Sequence, residues 1–163
     1  MKKTGTPLSG IIQAIGPVLL NISEEQSSKR SAPSRWSFKE IIGHLIDSAA
    51  NNHQRFVRAA FQEDLVFPGY EQNDWVGIQH YQDRPWVDLV ELFTSCNLHI
   101  AHVLNVLSPE VLDRERRVHN LHEIAFHPVS ASKPATLRYL TIDYIHHLEH
   151  HLGNYLPDYQ KTL

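Results

Sequence analysis

Apolar residues recur every three or four positions in four long stretches of the chain, which is the periodicity of an amphipathic α-helix. The pattern predicts helices over about residues 7–22, 38–62, 85–107 and 136–156. The segments between the later helices, 63–84 and 113–135, lack a sustained period, and the second of them is expected to form a loop or a small hairpin. Four such helices in one short chain predict an all-α fold, a four-helix bundle with long inter-helix connections.

The second helix carries a clear start signal. Ser37 can cap it, Glu40 lies three residues later as in a capping box, and the preceding Trp36 can pack back onto the first turn.

This helix has two contrasting faces. Its apolar face contains Phe38, Ile41, Ile42, Leu45, Ile46, Ala49, Phe56, Val57 and Ala60, and its opposite face contains Glu40, His44, Asp47, Ser48, Asn51 and Arg55. The second face is either a solvated surface or the polar wall of a cleft. Periodicity alone favours solvent, and it places His53, and not His44, on the inward side.

The last predicted helix contains four histidines within six residues: His146, His147, His150 and His151. His147 and His151, four residues apart, lie at the edge of the apolar sector. Side chains at this spacing lie over each other, and neutral imidazole is a good ligand for Zn, Ni, Fe or Cu. The pair therefore predicts two ligands to one metal ion, with a polar helix edge bearing surface histidines as the alternative.

Length and charge narrow the function classes. The 163 residues suit a single domain spanning residues 1–163, with no internal repeat or linker. The net charge of -3, with both signs interspersed, provides no basic surface for nucleic acid. No signal peptide or membrane span is evident, and the single cysteine, Cys96, suits a reducing compartment, so we expect a cytoplasmic protein.

With these motifs, the chain resembles members of the DinB superfamily, and within it the YfiT-like metal-dependent hydrolases. The resemblance covers nearly the whole chain. It depends on Trp36-Ser37, on His44-Leu45-Ile46-Asp47-Ser48, on Arg55-Phe56, on Tyr70 and Trp75, and on His147-Leu148-Glu149-His150-His151-Leu152-Gly153. Asn154 departs from the pattern, since many members of the family carry glutamine there.

The resemblance implies a DinB/YfiT-type bundle, often in a homodimer, with a three-histidine divalent metal site. The family pattern falls on His44, His147 and His151. Zinc and nickel both suit three imidazoles.

Three imidazoles leave coordination positions open, as in catalytic metal sites. A metal ion there can activate water, polarise a carbonyl or hold a thiolate. Asp47 and Asp143 are the carboxylates best placed to orient a ligand or accept a proton, and each has an ordinary surface position as its alternative. Asn51 and Arg55 share the His44 face, where they would meet a substrate anion.

Three functions follow as hypotheses. The first is an enzyme that hydrolyses a small amide or ester with metal-activated water. The second, implied by relatives in the same superfamily, is an S-transferase that uses a low-molecular-weight thiol resembling bacillithiol. The third is a metal-binding or interaction protein without turnover, in which the three histidines would be sealed from any cleft.

Overall fold

A computed structural model describes residues 4–156 and 159–160. The helices are α1 (Thr6–Leu20), α2 (Glu24–Ser28), α3 (Phe38–Ala59), α4 (Gln72–Gln79), α5 (Trp86–Val106), α6 (Pro109–Asp113), α7 (Leu121–Ile124) and α8 (Leu137–Tyr155), with a 3₁₀ turn over Tyr81–Asp83. The long helices α1, α3, α5 and α8 form a four-helix bundle, and the predicted all-α fold is confirmed. Each of the four predicted helices is present, with ends within about three residues of the expected positions.

The helix α5 packs against both α1 and α3, and α3 also packs against α8. Two buried hydrogen bonds join these layers. The indole Nε1 of Trp86 donates to the Leu19 carbonyl at 2.9 Å, and the Tyr144 hydroxyl donates to Asn97 Oδ1 at 2.5 Å. The apolar faces of the bundle therefore meet in one core, in which the buried polar atoms of Trp86 and Tyr144 both have partners.

The start of α3 follows the predicted capping box. Ser37 Oγ accepts from the Glu40 backbone N–H at 3.3 Å, and the Ser37 N–H donates to Glu40 Oε2 at 2.8 Å. Glu40 also accepts two hydrogen bonds from the Arg30 guanidinium, at 2.9 and 2.6 Å. The Glu40 side chain thus stabilises the N-terminal end of α3.

Both faces of α3 are covered over its first half. Every residue from Ser37 to Ala49 is buried, including His44 at 2% exposure. The solvated interpretation of the polar face is therefore wrong, because other elements of the fold cover that face. His53, which periodicity places inward, is only half-buried, and Val57 on the apolar side is 36% exposed.

The long connections contain structure that periodicity does not reveal. Residues 63–84 include α4 and the 3₁₀ turn. Residues 113–135, expected to be a loop or a small hairpin, form a loop that contains α7 and an isolated pairing of Arg116 with Ala135, and the described residues form no extended strand. His119, in the same connection, is buried, with Nε2 2.7 Å from the Lys133 carbonyl.

No helix among residues 4–156 combines the length and the apolar character that crossing a membrane requires.

Candidate metal centre

Three histidines from two helices converge on one point. His44 extends from α3, and His147 and His151 extend from successive turns of α8. The Nε2 atom of His147 lies 3.2 Å from that of His44 and 3.1 Å from that of His151. The potential ligand atoms of the three residues all lie within 4.8 Å of one another.

The spacing of these nitrogen atoms suits a divalent cation. Zinc–nitrogen bonds of about 2.0–2.1 Å in tetrahedral geometry place two ligand nitrogens about 3.3 Å apart. The observed 3.1 and 3.2 Å are close to this value. Between neutral imidazoles, one ring N–H can donate to only one neighbour, so His147 Nε2 cannot satisfy both contacts as a donor. The donor set therefore fits a shared cation.

The environment keeps all three imidazoles in the form that binds metal. Burial, together with the neighbouring His151, lowers the pKa of His44 to about 4. Burial, together with the other histidines, lowers the pKa of His147 to about 3. Burial and His150 lower the pKa of His151 to about 4. Near neutral pH the rings are uncharged, as metal coordination requires.

Neighbouring side chains hold the rings in place. Ser48 Oγ lies 3.4 Å from His147 Nδ1, within reach of the ring nitrogen that does not face the cluster. The Trp36 ring packs against His44 with centroids 5.3 Å apart, and the Phe126 ring packs against His147 at the same separation. An aromatic side chain thus lies against one histidine of each helix, Trp36 against His44 of α3 and Phe126 against His147 of α8.

The cluster opens into a cavity of about 430 Å³. His44, Ser48 and His147 line it on the cluster side, and Arg55 and Asp143 also contribute to its wall. The remaining lining residues are Asn52, Gly69, Tyr70, Glu71, Gln72, Glu123, Ile124, Ala125, Phe126, Leu140 and Tyr144. A small molecule in this cavity would therefore contact two of the three histidines.

Asp143 lies in the cavity wall, one helical turn before His147. Its Oδ2 accepts from the Phe126 N–H at 2.7 Å, and its Oδ1 accepts from the His127 N–H at 2.8 Å and lies 2.9 Å from His127 Nδ1. The carboxylate therefore ties the segment that carries Phe126 to α8.

Asp47 is buried on α3 but does not line the cavity. Its Oδ1 accepts from the Tyr81 hydroxyl at 2.7 Å and from Gln79 Nε2 at 2.5 Å. Its Oδ2 has no hydrogen-bond partner among the described residues, and burial raises the pKa of the carboxyl group.

Several other histidines lie outside the cluster. The His53 ring lies near that of His99 with centroids 5.0 Å apart, and the His146 ring lies edge-on to that of His127 at 5.5 Å. His150 borders the cluster, with its ring centroid 5.4 Å from that of His151. Sequence reasoning missed Phe126, since nothing in its local sequence indicates that its loop folds back onto α8. It identified Trp36 only as a helix-start residue.

Comparison with known proteins agrees with these observations. The family model described as the DinB superfamily matches residues 12–154. Two proteins of Oceanobacillus iheyensis and one of Halalkalibacterium halodurans, each named "Putative metal-dependent hydrolase", are similar in sequence. The first is 26% identical over 140 residues, which are 86% of this chain and 74% of that protein.

The other two relatives are more distant. Each is 24% identical, and the alignments cover 59% and 58% of this chain. In both cases the match spans only 55% of the relative's own length.

A solved structure shares the fold. The structure of YfiT from Bacillus subtilis, described as a probable metal-dependent hydrolase with an unusual four-helix bundle topology, superimposes with a TM-score of 0.73 at 17% sequence identity. The match covers 94% of this chain and 82% of YfiT. The family match over most of the chain and the shared bundle lead to one conclusion: this chain belongs to the DinB superfamily.

Proposed function

We propose that the protein is a metal-dependent hydrolase that cleaves a small amide or ester. The observation that carries the proposal is the convergence of His44, His147 and His151 at the wall of an open cavity. The names of the three relatives support the same class of reaction.

In this proposal, His44, His147 and His151 hold one divalent cation, either zinc or nickel. The ion supplies Lewis acidity, which activates a water molecule or polarises a carbonyl group. The cavity volume of about 430 Å³ suits a small-molecule substrate.

We assign different roles to the two carboxylates. Asp143 lies in the cavity wall beside His147, so it is our candidate for accepting a proton from the nucleophile. Asp47 lies outside the cavity, so we propose that it positions the α3 turn bearing His44 through its contacts with Tyr81 and Gln79.

Elemental analysis of the purified protein tests the ligand assignment. We expect about one equivalent of a divalent metal in the natural chain and little in His147→Ala. His146→Ala is the matched control, since it removes the adjacent imidazole of α8, which lies outside the cluster. Equal sub-stoichiometric metal in all three proteins would reject the assignment.

A second experiment separates hydrolysis from thiol S-transfer. The metal-loaded protein is incubated in parallel with a panel of small amides and esters, and with a low-molecular-weight thiol plus an alkyl halide. Metal-dependent cleavage without thiol conjugate supports the hydrolase. Conjugate formation without cleavage would support the S-transferase, and inactivity in both would favour a binding protein.

A further inference from the structure

Arg55 places a buried positive charge in the wall of the cavity. The residue is 6% exposed and lies eleven positions after His44 on α3. At about 100° per residue, eleven positions return to the same face of a helix. His44 and Arg55 therefore line one cavity at different heights along α3.

The structure provides no negative partner for this charge. Arg55 Nη2 donates to the Pro68 carbonyl at 3.0 Å, and Nη1 lies 3.4 Å from Asn52 Oδ1. Both acceptors are neutral. Among residues 4–156 and 159–160, no carboxylate forms an ion pair with this guanidinium, although burying an unpaired charge is costly.

Two other buried cationic side chains, Lys39 and Arg116, have different partners or positions from those of Arg55. Lys39 pairs with Glu24 and also donates to two backbone carbonyls. Arg116 donates to three backbone carbonyls, and it does not line the cavity. Arg55 thus combines burial, a cavity position and an absent counter-charge, which is the arrangement expected of a ligand-binding cation.

The polar surroundings favour a singly charged ligand. Asn52 and Tyr70 line the same cavity and offer hydrogen-bonding groups. Glu71 and Glu123 are exposed lining residues, and they would repel a dianion more strongly than a monoanion. A carboxylate can also accept two parallel hydrogen bonds from the guanidinium fork.

We propose that Arg55 binds a carboxylate group of the substrate. The inference rests on the proposed function, because it concerns the same substrate. One end of that substrate would contact His44 and His147, and its other end would contact Arg55. Eleven residues correspond to a rise of about 16 Å, and long side chains shorten this gap. The substrate class is therefore a small amide or ester whose carboxylate lies on the order of 10 Å from the bond that is cleaved.

The first test uses hexanoate and its uncharged isostere hexanamide with the full chain after metal removal by a chelator. Calorimetry is expected to show that hexanoate binds about tenfold more tightly, as a charge-assisted hydrogen bond implies. The preference should vanish in Arg55→Gln and survive in part in Arg55→Lys. The matched control is Arg58→Gln, which removes an exposed arginine of the same helix and should leave the preference intact.

Equal binding of the two compounds by the natural chain would overturn the proposal. So would a preference that persists in Arg55→Gln. Circular dichroism of each variant establishes that it is folded, and the Lys variant provides the readout if the Gln variant is not.

The second test uses the zinc-loaded protein to measure the distance between the metal site and the carboxylate that Arg55 binds. The probes are α,ω-dicarboxylic acid monohydroxamates with four to ten carbons, each compared with its terminal carboxamide. The hydroxamate group binds the metal, and the carboxylate preference is expected to peak near the eight-carbon member and to vanish in Arg55→Gln. A preference that does not depend on chain length would overturn the proposed spacing.

The two proposals fail in different ways. Loss of hydroxamate binding with a retained hexanoate preference would contradict the metal site and support the role of Arg55. Amide cleavage by a protein that shows no carboxylate preference would support the hydrolase and reject the role of Arg55.

Discussion

Ser48 is the side chain through which α3 can orient a histidine of α8. Its hydroxyl lies 3.4 Å from Nδ1 of His147, and that contact favours the tautomer whose Nε2 lone pair faces the cluster. Groups that orient a metal ligand in this way typically contribute 10- to 100-fold to metal affinity.

We therefore expect Ser48→Ala to weaken metal binding by about tenfold while preserving the fold. Competition with a chromophoric chelator measures the affinity. Ser95→Ala, an exposed serine of α5, is the control and should leave affinity unchanged. Unaltered affinity in Ser48→Ala would show that packing against Phe126 is enough to orient the ring.

The three clustered imidazoles should make the metal-free protein sensitive to mild acid. Their folded pKa values of about 3 to 4 lie below the ordinary value of 6.5, so the unfolded chain binds protons that the folded chain does not. The associated stability is present above about pH 6.5 and is lost as the pH falls toward 4.

Urea unfolding of the metal-free protein between pH 7 and pH 4.5 tests this expectation. The free energy of unfolding should decrease with falling pH, and His147→Ala should make the decrease shallower. His146→Ala should keep the slope of the natural chain. An identical pH dependence in all three proteins would contradict a contribution from the cluster.

The proposed roles of Asp143 and Asp47 differ, since Asp143 would accept a proton and Asp47 would position the α3 turn that bears His44. Asp143→Asn should lower kcat of the proposed hydrolysis at least tenfold, because it weakens proton acceptance and places an amide against backbone donors. Asp47→Asn should act mainly on thermal stability. Measurement of kcat and Tm for both variants checks this division, which fails if Asp47→Asn has the larger effect on kcat.

At the scale of elements, α3 and the turn that follows α4 approach very closely. A Cβ built on Gly43 would overlap the ring of Tyr81, whose hydroxyl also binds Asp47. The absence of a side chain at Gly43 therefore lets this turn reach the helix that carries His44.

Gly43→Ala should consequently destabilise the protein by about 1–3 kcal/mol through overpacking. Gly10→Ala on α1 is the matched control, since a Cβ there meets nothing within 4 Å. The control should stabilise the fold by about 0.4–1 kcal/mol, because alanine restricts the unfolded chain. Thermal unfolding distinguishes the two, and a stabilised Gly43→Ala would mean that the Tyr81 turn moves easily.

The long helices were predictable from local pattern, and their positions in space were not. The capping signal at Ser37 and Glu40 marked the start of α3 correctly, because both partners lie within one turn. Periodicity failed at His44 and His53 because it detects one apolar face, whereas α3 is covered on two. The position of His44 came from the family resemblance.

The loop residues show the same limit. His119 and Phe126 take their places through contacts with Lys133 and Asp143, which lie 14 and 17 residues away in sequence. No periodic signal spans such a connection. The convergence of His147 with His151 was predictable from spacing, whereas the contact of His147 with the cavity depends on how these connections fold.

At the scale of the whole molecule, the cluster joins α3 to α8 through His44 and His147, which are 103 positions apart in sequence. A cation held by both helices would bind only the folded state, so it should stabilise the entire bundle. At a free metal concentration 100 times Kd, the free energy of unfolding increases by about 2.7 kcal/mol.

For a domain of this size, such a gain corresponds to a rise in Tm of roughly 5–11 °C. Scanning calorimetry with and without zinc measures it, and His147→Ala should abolish the rise while His146→Ala retains it. A comparable rise in His147→Ala would indicate binding elsewhere, for example at His53 and His99.

The burial of α3 from Ser37 to Ala49 has a consequence for how the chain tolerates change. A segment with no exposed side has no position at which substitutions are free, so a saturation library should be depleted evenly along it, at charged and apolar sites alike. Beyond Ala49, where exposed positions reappear in α3, tolerated substitutions should recur every three or four residues, with the periodicity of an α-helix. A map of surviving variants would thus trace the covered length of this helix without any knowledge of the reaction.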